Sequence, residues 1–311
     1  MQTNLQPSLT PRLNLLTIIF DDVGSVTADR FLYSIKRYLV RNVMKMLHFI
    51  PGWFLERLYY SKFAKVFFPV YNYFTRNQTL KLYRIYNNTM VIEVDLSKPA
   101  ERAIPFDAYE PMVTRKFLAI LKEGDVVFNV GAWIGYYVLL AAKKAKHVVA
   151  VEADDKNCQR IRRNLELNGF SNVTLLNIAA GDKSSYARLL EGPGSSMHKV
   201  YEVTCNQIGK TIKTEPLDNI ISNLRLRQID ILIMDIEGYE YFALKGLGNS
   251  LRSHSVKNVI CEIHPSILME HGISKNDVLD LFDECGYSII HLQKSATSHP
   301  YHIHAKIPDP H

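Results

Sequence analysis

Apolar and polar residues change their period along this chain, and the changes divide it. From Phe31 to Leu47 apolar residues recur at helical spacing, with Lys36, Arg37, Arg41 and Lys45 interleaved, which predicts an amphipathic helix. LYRIYNNTMVIEVDL (82–96) switches to alternation around Asn87-Asn88, the pattern of a hairpin, although Asn-Asn is a weaker turn signal than Asn-Gly. Pro99 and Pro105 mark an exposed connection, and a helical pattern from Pro111 to Lys122 stops at Glu123-Gly124-Asp125.

Beyond that point short apolar runs alternate with helical patterns. Strands are expected over 125–130, 147–153, 173–180, 229–236 and 257–264, and helices over 134–145, 155–168, 239–246 and 274–285. That order implies parallel βαβ units with right-handed crossovers, hence an α/β fold built on an open sheet covered on both faces. GYSIIHL (286–292) and YHIHAKI (301–307) read as two late strands, an antiparallel hairpin closing one edge. Between 181 and 228 the loop EGPGSSMHK precedes two short strands, VYEVT and TIKTEPL, and there is no internal repeat.

Composition changes this picture only at the front. Between Arg30 and Tyr86 eleven Lys or Arg face one acid, Glu56, among many aromatics such as Trp53, Tyr59, Phe67 and Tyr71. The chain is therefore expected to divide into a basic, aromatic helical extension (1–80) and an α/β domain (81–311). The extension reads first as an appendage docking its aromatics on the body, and second as a peripheral membrane contact through residues 30–76, apolar face down with lysines toward the headgroups. No nucleic-acid partner is expected, because no recognisable binding motif accompanies the basic residues. The net charge of +6 is by itself weak evidence for an acidic partner. Cys158, Cys205, Cys261 and Cys285 are widely separated with no CxxC, which argues against a disulfide framework or a zinc site and for a reducing interior. LNLLTIIF (13–20) runs straight into Asp21 and Asp22 and makes a poor signal peptide, and no apolar run approaches the roughly 18 residues that span a bilayer. A cytoplasmic protein, at most peripheral to the membrane, is the expectation.

The candidate chemistry sits where strands end. In VVFNVGAWIGYYVLLAAKKAK (126–146) a strand runs into Gly131 and a helix opens at Gly135, the arrangement of a turn that lets a ligand approach the backbone. The second strand ends at Glu152, twenty-one residues after Gly131, where a carboxylate can accept from both hydroxyls of a ribose. Trp133 replaces the middle glycine of a dinucleotide-binding turn, and its indole would crowd a pyrophosphate. The pattern favours S-adenosylmethionine over NAD. The fourth strand, IDILIMDIEGYE, is buried on both faces through Ile231–Met234 and delivers Asp235 and Glu237 at its tip. Glu237 has a structural alternative as a helix N-cap, whereas Asp235 has no such structural reason. NVICEIHP adds Glu262 and His264 on one side of the alternation.

Taken in order, YEPMVTRKFLAILKEGDVVFNVGAWIGYY, VVAVEADDKNCQRIRRNLELNG, NIAAGDKSS, TEPLDNI and IDILIMDIEGYEYFALKG resemble the FkbM-type S-adenosylmethionine-dependent methyltransferases, from about Tyr109 to Pro265. The resemblance implies a Rossmann-like methyltransferase sheet of seven strands, the last antiparallel, and O-methylation of a hydroxyl on a sugar, glycan or other small molecule. It implies that Gly131, Ala132 and Gly135 hold the methionine part of the cofactor, Glu152 its ribose, and Asn177 and Ala179 the adenine. Tyr109 and Glu110 would help close that pocket, and Asp235 and Glu237 would face the acceptor.

The chain departs from the family at Asn129, usually Asp, at Trp133, usually Asn, and at Met234, where Lys is common. Asn129 keeps an acceptor oxygen for the cofactor's ammonium but loses charge assistance, a cost of about 1 kcal/mol. Trp133 either stacks beside the methionine chain or narrows the entry. Removal of the hydroxyl proton needs an acceptor within about 3 Å, for which His264 or Asp235 is the expectation, with Glu237 and Glu262 orienting the acceptor. Metal coordination by Asp235 is the alternative to base catalysis, although a divalent metal is not indicated by any ligand spacing. Base methylation is disfavoured, because Asp-Ile-Glu-Gly stands where such enzymes carry Asn/Asp-Pro-Pro-aromatic. The rival from another class is a catalytically weak or inactive relative that serves as a membrane-associated binding module.

Overall fold

A computed structural model describes residues 64–75, 80–192, 198–202, 209–292 and 300–308. The amphipathic segment 31–47, most of the 30–76 membrane-contact segment and Cys205 lie outside the described residues. Helix α1 (Ala64–Thr75) precedes the hairpin β1 (Leu80–Ile85) and β2 (Met90–Asp95), a 3-10 helix (Pro99–Phe106) and α2 (Pro111–Ile120). The α/β body follows as β3 (Val126–Val130), α3 (Tyr136–Ala142), β4 (His147–Val151), α4 (Asp155–Asn168), β5 (Val173–Leu176), β6 (Ala179–Ala180), β7 (Ser185–Leu190), β8 (Lys199–Glu202), β9 (Lys210–Glu215), α5 (Leu217–Asn223) and β10 (Ile229–Met234). It closes with α6 (Glu240–Lys245), α7 (Gly248–Arg252), β11 (Val256–Ile263), α8 (Pro265–Glu270), α9 (Lys275–Glu284), β12 (Ser288–His291) and β13 (Tyr301–Lys306).

Seven strands form one sheet in the order β12-β13-β11-β10-β3-β4-β5. β10 pairs in parallel with β11 and β3, and β3–β4 and β4–β5 are also parallel, whereas β13 is antiparallel to both its neighbours. This is the Rossmann-like methyltransferase sheet with its last strand reversed. The late hairpin does close an edge, but β13 inserts between β11 and β12, so β12 is the outermost strand. Because β10 follows β3 in space and not β4, the order switches between them, and a crevice opens beyond their carboxyl ends. The apolar runs of the central strands divide between two layers. Phe128 and Val130 pack with Leu232 and Met234 on one face, and Val127 packs with Ile231 and Ile233 on the other.

The single strand expected over 173–180 is broken. β5 ends at Leu176, and Ala179–Ala180 pairs in parallel with β9 in a separate four-stranded sheet ordered β6-β9-β7-β8. The break has a tertiary cause: the Asn177 amide donates to the carbonyls of Glu152 and Ala153, both at 3.0 Å, which ties the chain to the tip of β4. α4 matches its expected bounds because both ends are capped. Asp154 accepts from the Lys156 N–H, and Gly169 stops the helix at φ 66°.

The β1–β2 hairpin turns through left-handed Asn87 and Asn88 and docks on α4 through polar side chains. The backbone N–H groups of Glu93 and Val91 donate to Asn164 and Asn168, each at 2.8 Å, so two asparagines cover the free edge of β2. Glu101 is fully buried, and both guanidinium ends of Arg160 reach it at 2.7 Å. Among the described residues no helix is long and apolar enough to cross a membrane. Because removing one partner of a buried pair strands the other's charge, Glu101→Ala should cost about 3 kcal/mol in chemical denaturation, and a loss below about 1 kcal/mol would show that the hairpin docks without the pair.

Candidate functional site

The glycine turn after β3 is shaped by the next strand. Met234 pairs with Val130, and the Asp235 N–H donates to the Val130 carbonyl at 3.0 Å. A Cβ on residue 131 would lie 1.7 Å from the Asp235 carbonyl oxygen, and Gly131 has φ +78°. The bare backbone expected to admit a ligand therefore admits the start of the 235–238 loop. The Gly131 and Ala132 N–H groups turn back onto the Val151 carbonyl at 2.9 and 3.1 Å, which holds the turn against the tip of β4. Gly135 does not line the cleft as expected of a cofactor contact. It opens α3 at φ +89°, where a Cβ would crowd Ile161 at 3.3 Å.

A cleft open to solvent lies across the ends of β3, β4 and β10. Glu152 faces it with 6 % of its surface exposed. Its Oε2 accepts from the Trp133 N–H at 2.7 Å, and its Oε1 accepts from the Asp154 N–H and the Asn157 amide at 2.9 and 3.3 Å. Burial pushes its pKa up to about 7 in spite of the Asp154 and Trp133 N–H groups, which favour the ionised form. Asn129 is 3 % exposed, lines the same cleft, and leaves Oδ1 without a hydrogen-bond donor. Tyr109 and Trp133 form an aromatic wall, ring centroids 5.3 Å apart and planes 32° apart, and Tyr136 meets Tyr109 edge-on. Ile178, Ala179, Leu189 and Val200 supply apolar lining. Asn177 is exposed and outside the lining, its amide already committed to the β4 tip, whereas its neighbours Ile178 and Ala179 do line the cleft.

The cleft's other chemistry is an acidic cluster. β10 and β11 run in parallel with Met234 beside Cys261, so Asp235 and Glu262 emerge together one residue on. β13 places His302 directly opposite Glu262. His264 Nε2 lies 3.8 Å from Asp235 Oδ1, 3.4 Å from Glu237 Oε2 and 3.9 Å from Glu262 Oε1. His302 Nε2 lies 3.3 Å from Glu262 Oε2 and 3.8 Å from Glu110 Oε2. Glu110 also accepts from the Tyr137 hydroxyl at 2.8 Å, so it belongs to this cluster as well as to the pocket's entrance. Asp235, Glu237, Glu110 and His302 line the cleft, with Glu262 and His264 behind them. Glu110, Trp133 and Glu237, all lining the cleft, adopt left-handed φ of 40°, 49° and 51°.

Two of these residues have no part in the sequence-based expectation. His302 is brought in by the antiparallel insertion of β13, for which the only sequence signal was a histidine alternating with apolar residues in YHIHAKI. Glu240 is fully buried and accepts at Oε1 from the Gly238 N–H at 2.9 Å and from His264 Nδ1 at 2.7 Å. The N–H acceptor expected of Glu237 is thus Glu240, and Glu237 is left facing the cleft.

Charge settles unevenly over the cluster. Burial, reinforced by Glu262 and Glu110, pushes Asp235 well above the usual carboxylate range, and burial also raises Glu237. Glu262 is held below that range: burial opposes this, but His302 and His264 outweigh it. For His264 burial disfavours the cation, yet Glu240, Asp235 and Glu262 prevail and push it to about 10. The acids around His264 thus hold its proton more tightly than water would.

The FkbM methyltransferase domain model matches residues 129–289, just over half of the chain, and includes most of the cleft lining, with Tyr109, Glu110 and His302 among the residues outside it. The hexuronic acid methyltransferase AglP of Haloferax volcanii is 30% identical over 182 residues, 58% of this chain and 70% of that protein. An uncharacterized protein of Methanocaldococcus jannaschii is 39% identical over 67 residues, 22% of this chain and 25% of that protein. Among solved structures, the FkbM methyltransferase of Methylobacillus flagellatus superposes with a TM-score of 0.40 at 20% identity, covering 58% of this chain and 43% of that one. Half of the chain carries the family's domain, and a methyltransferase relative is matched over most of its own length: the protein belongs to the FkbM methyltransferase family.

Proposed function

We propose that the protein transfers a methyl group from S-adenosylmethionine to a hydroxyl of a sugar or glycan. One observation carries the reading: a single cleft holds both a buried, pre-oriented carboxylate at the β4 tip, Glu152, and a cluster of carboxylates at the β10–β11 tips. The match to a hexuronic acid methyltransferase supports a sugar as the acceptor.

The residues fit that cofactor. Glu152 Oε2 takes one donor and keeps a lone pair for a ribose hydroxyl, while its N–H donors fix the carboxylate before binding. The orphaned Asn129 Oδ1 suits an ammonium or a water bridging to one. Ile178, Ala179 and Leu189 make an apolar bed for adenine, and the Tyr109–Trp133 wall excludes water. When bound, S-adenosylmethionine supplies an electrophilic methyl group on a sulfonium, transferred by in-line displacement. The cleft would align an acceptor oxygen with that methyl, the thioether being the leaving group, and Asp235, the carboxylate at the strand tip facing the cleft, would take the acceptor's proton. Glu237, Glu262 and the cationic His264 orient the neighbouring hydroxyls.

Calorimetric titration with S-adenosylhomocysteine tests the cofactor half. Saturable binding should disappear in Glu152→Ala, and retained affinity there would remove the ribose assignment. Since ribose hydroxyls favour the ionised carboxylate and Glu152 titrates near 7, affinity should climb about tenfold from pH 6 to pH 8 and fall away on acidification. Glu152→Gln should flatten that profile. Restoring charge assistance by Asn129→Asp should tighten binding a few-fold to about tenfold, and weaker binding would mean that Oδ1 does not meet the ammonium. Incubation with labelled S-adenosylmethionine and a panel of sugars, hexuronic acids included, tests the acceptor. Label transferred to a nucleobase and to no sugar would overturn the reading.

A further inference from the structure

Five carboxyl groups (Glu110, Asp235, Glu237, Glu240, Glu262) meet two imidazoles (His264, His302) at the acceptor side of the cleft, and among the described residues no lysine or arginine pairs with any of them. The spacing around His264 Nε2 is unlike that of a hydrogen-bonded network. The 3.4–3.9 Å separations around His264 Nε2 are at or beyond the limit of a hydrogen bond, and none carries one. They resemble edges of a coordination polyhedron, since oxygen and nitrogen ligands about 2.1–2.4 Å from a cation stand roughly 3.0–3.9 Å from one another.

We infer that this cluster is a divalent-cation site, held by Asp235 Oδ1, Glu237 Oε2 and His264 Nε2, whose proton the cation displaces to solvent, with Glu262 Oε1 as a fourth donor. These ligand atoms of Asp235, Glu237 and His264 all lie within 4.8 Å of one another. Two further features point to a ligand. The His264 side chain is 96 % buried, and its ring is fixed through Nδ1 by the fully buried Glu240, which leaves Nε2 aimed at the carboxylates without a hydrogen bond. A carboxylate behind the outer nitrogen is how metal-binding imidazoles are usually oriented. Asp235 Oδ1 is likewise sealed from solvent and has no hydrogen-bond partner. Glu262 turns its other oxygen to His302, and Glu110, Glu262 and His302 form a second set of three within the same limit, so Glu262 bridges two half-sites. One imidazole among carboxylate oxygens suits Mn²⁺ or Mg²⁺ better than a thiol-seeking ion.

The inference deepens the methyl-transfer reading and rests on it for its meaning. A cation here faces the acceptor and would lower the proton affinity of a bound hydroxyl. It would favour sugars that present two adjacent oxygens, a vicinal diol or a hydroxyl beside a carboxylate. Asp235 then binds the cation through Oδ1 and keeps its other oxygen for the hydroxyl proton.

The test needs neither cofactor nor acceptor. The full chain, freed of metal by chelator, is titrated with Mn²⁺ and the free ion is read by electron paramagnetic resonance. Saturable binding of at least one Mn²⁺ per chain is expected, with Kd below about 100 μM. Asp235→Asn should weaken it at least tenfold, and Glu240→Gln, acting through His264, by about 10–100-fold. Glu284→Gln, an exposed acid on α9, should change nothing. If Asp235→Asn does not fold, Glu237→Gln at the cleft edge takes its place. No binding by the folded wild type below about 1 mM, or equal affinity in the Asp235 or Glu237 variant, overturns the site. Either result leaves the cofactor titrations standing, so failure here and failure of the methyl-transfer reading are distinguishable.

Discussion

The carbonyl oxygen of Asp235 occupies the space a side chain at position 131 would need, 1.7 Å from where its Cβ would sit. This approach joins the two halves of the site. The turn after β3 packs against the start of the 235–238 loop and folds back onto Val151, and its Trp133 N–H holds the Glu152 carboxylate. Movement of the Asp235 backbone would therefore be felt in the turn after β3, because the two are in direct contact and packed interiors do not deform smoothly. Glycine at 131 follows from packing between neighbouring strands as much as from any ligand.

The second constraint is electrostatic. Carboxylates cannot be gathered beside a cleft unless something offsets their mutual repulsion and lost hydration. The fold supplies His264 and His302 from the ends of β11 and β13, and Glu240 from the start of α6 to hold His264 in place. The remaining deficit is borne by raised proton affinity at Asp235 and Glu237 or by a cation. The same excess of negative charge suits a site that receives a sulfonium and a polyhydroxylated acceptor. The left-handed backbone at Glu110, Trp133 and Glu237 lies at the same cleft.

The sequence made much of this legible, and the limits are physical. Parallel strands buried on both faces, such as Ile231–Met234, declare themselves by composition, and β3, β4, β10 and β11 lie within a residue or two of their expected bounds. Capped helices such as α4 were equally clear. The strand over 173–180 misled because its break depends on a long-range bond from Asn177 to the tip of β4, which no local period encodes. Glu152, Asp235 and Glu262 could be anticipated because strand ends face the crevice in such sheets. His302 and Glu240 could not, since one arrives through antiparallel insertion and the other through a contact 24 residues along the chain. Gly135 and Asn177 shape the cleft without lining it, a distinction that spacing alone does not draw.

The most direct measurement is a crystal structure of the protein with S-adenosylhomocysteine bound. The account predicts ribose hydroxyls on Glu152, the amino group near Asn129 Oδ1, adenine over Ala179, and the sulfur turned toward Asp235. A cofactor seated elsewhere, or a sulfur facing away from the acids at the ends of β10 and β11, would contradict it.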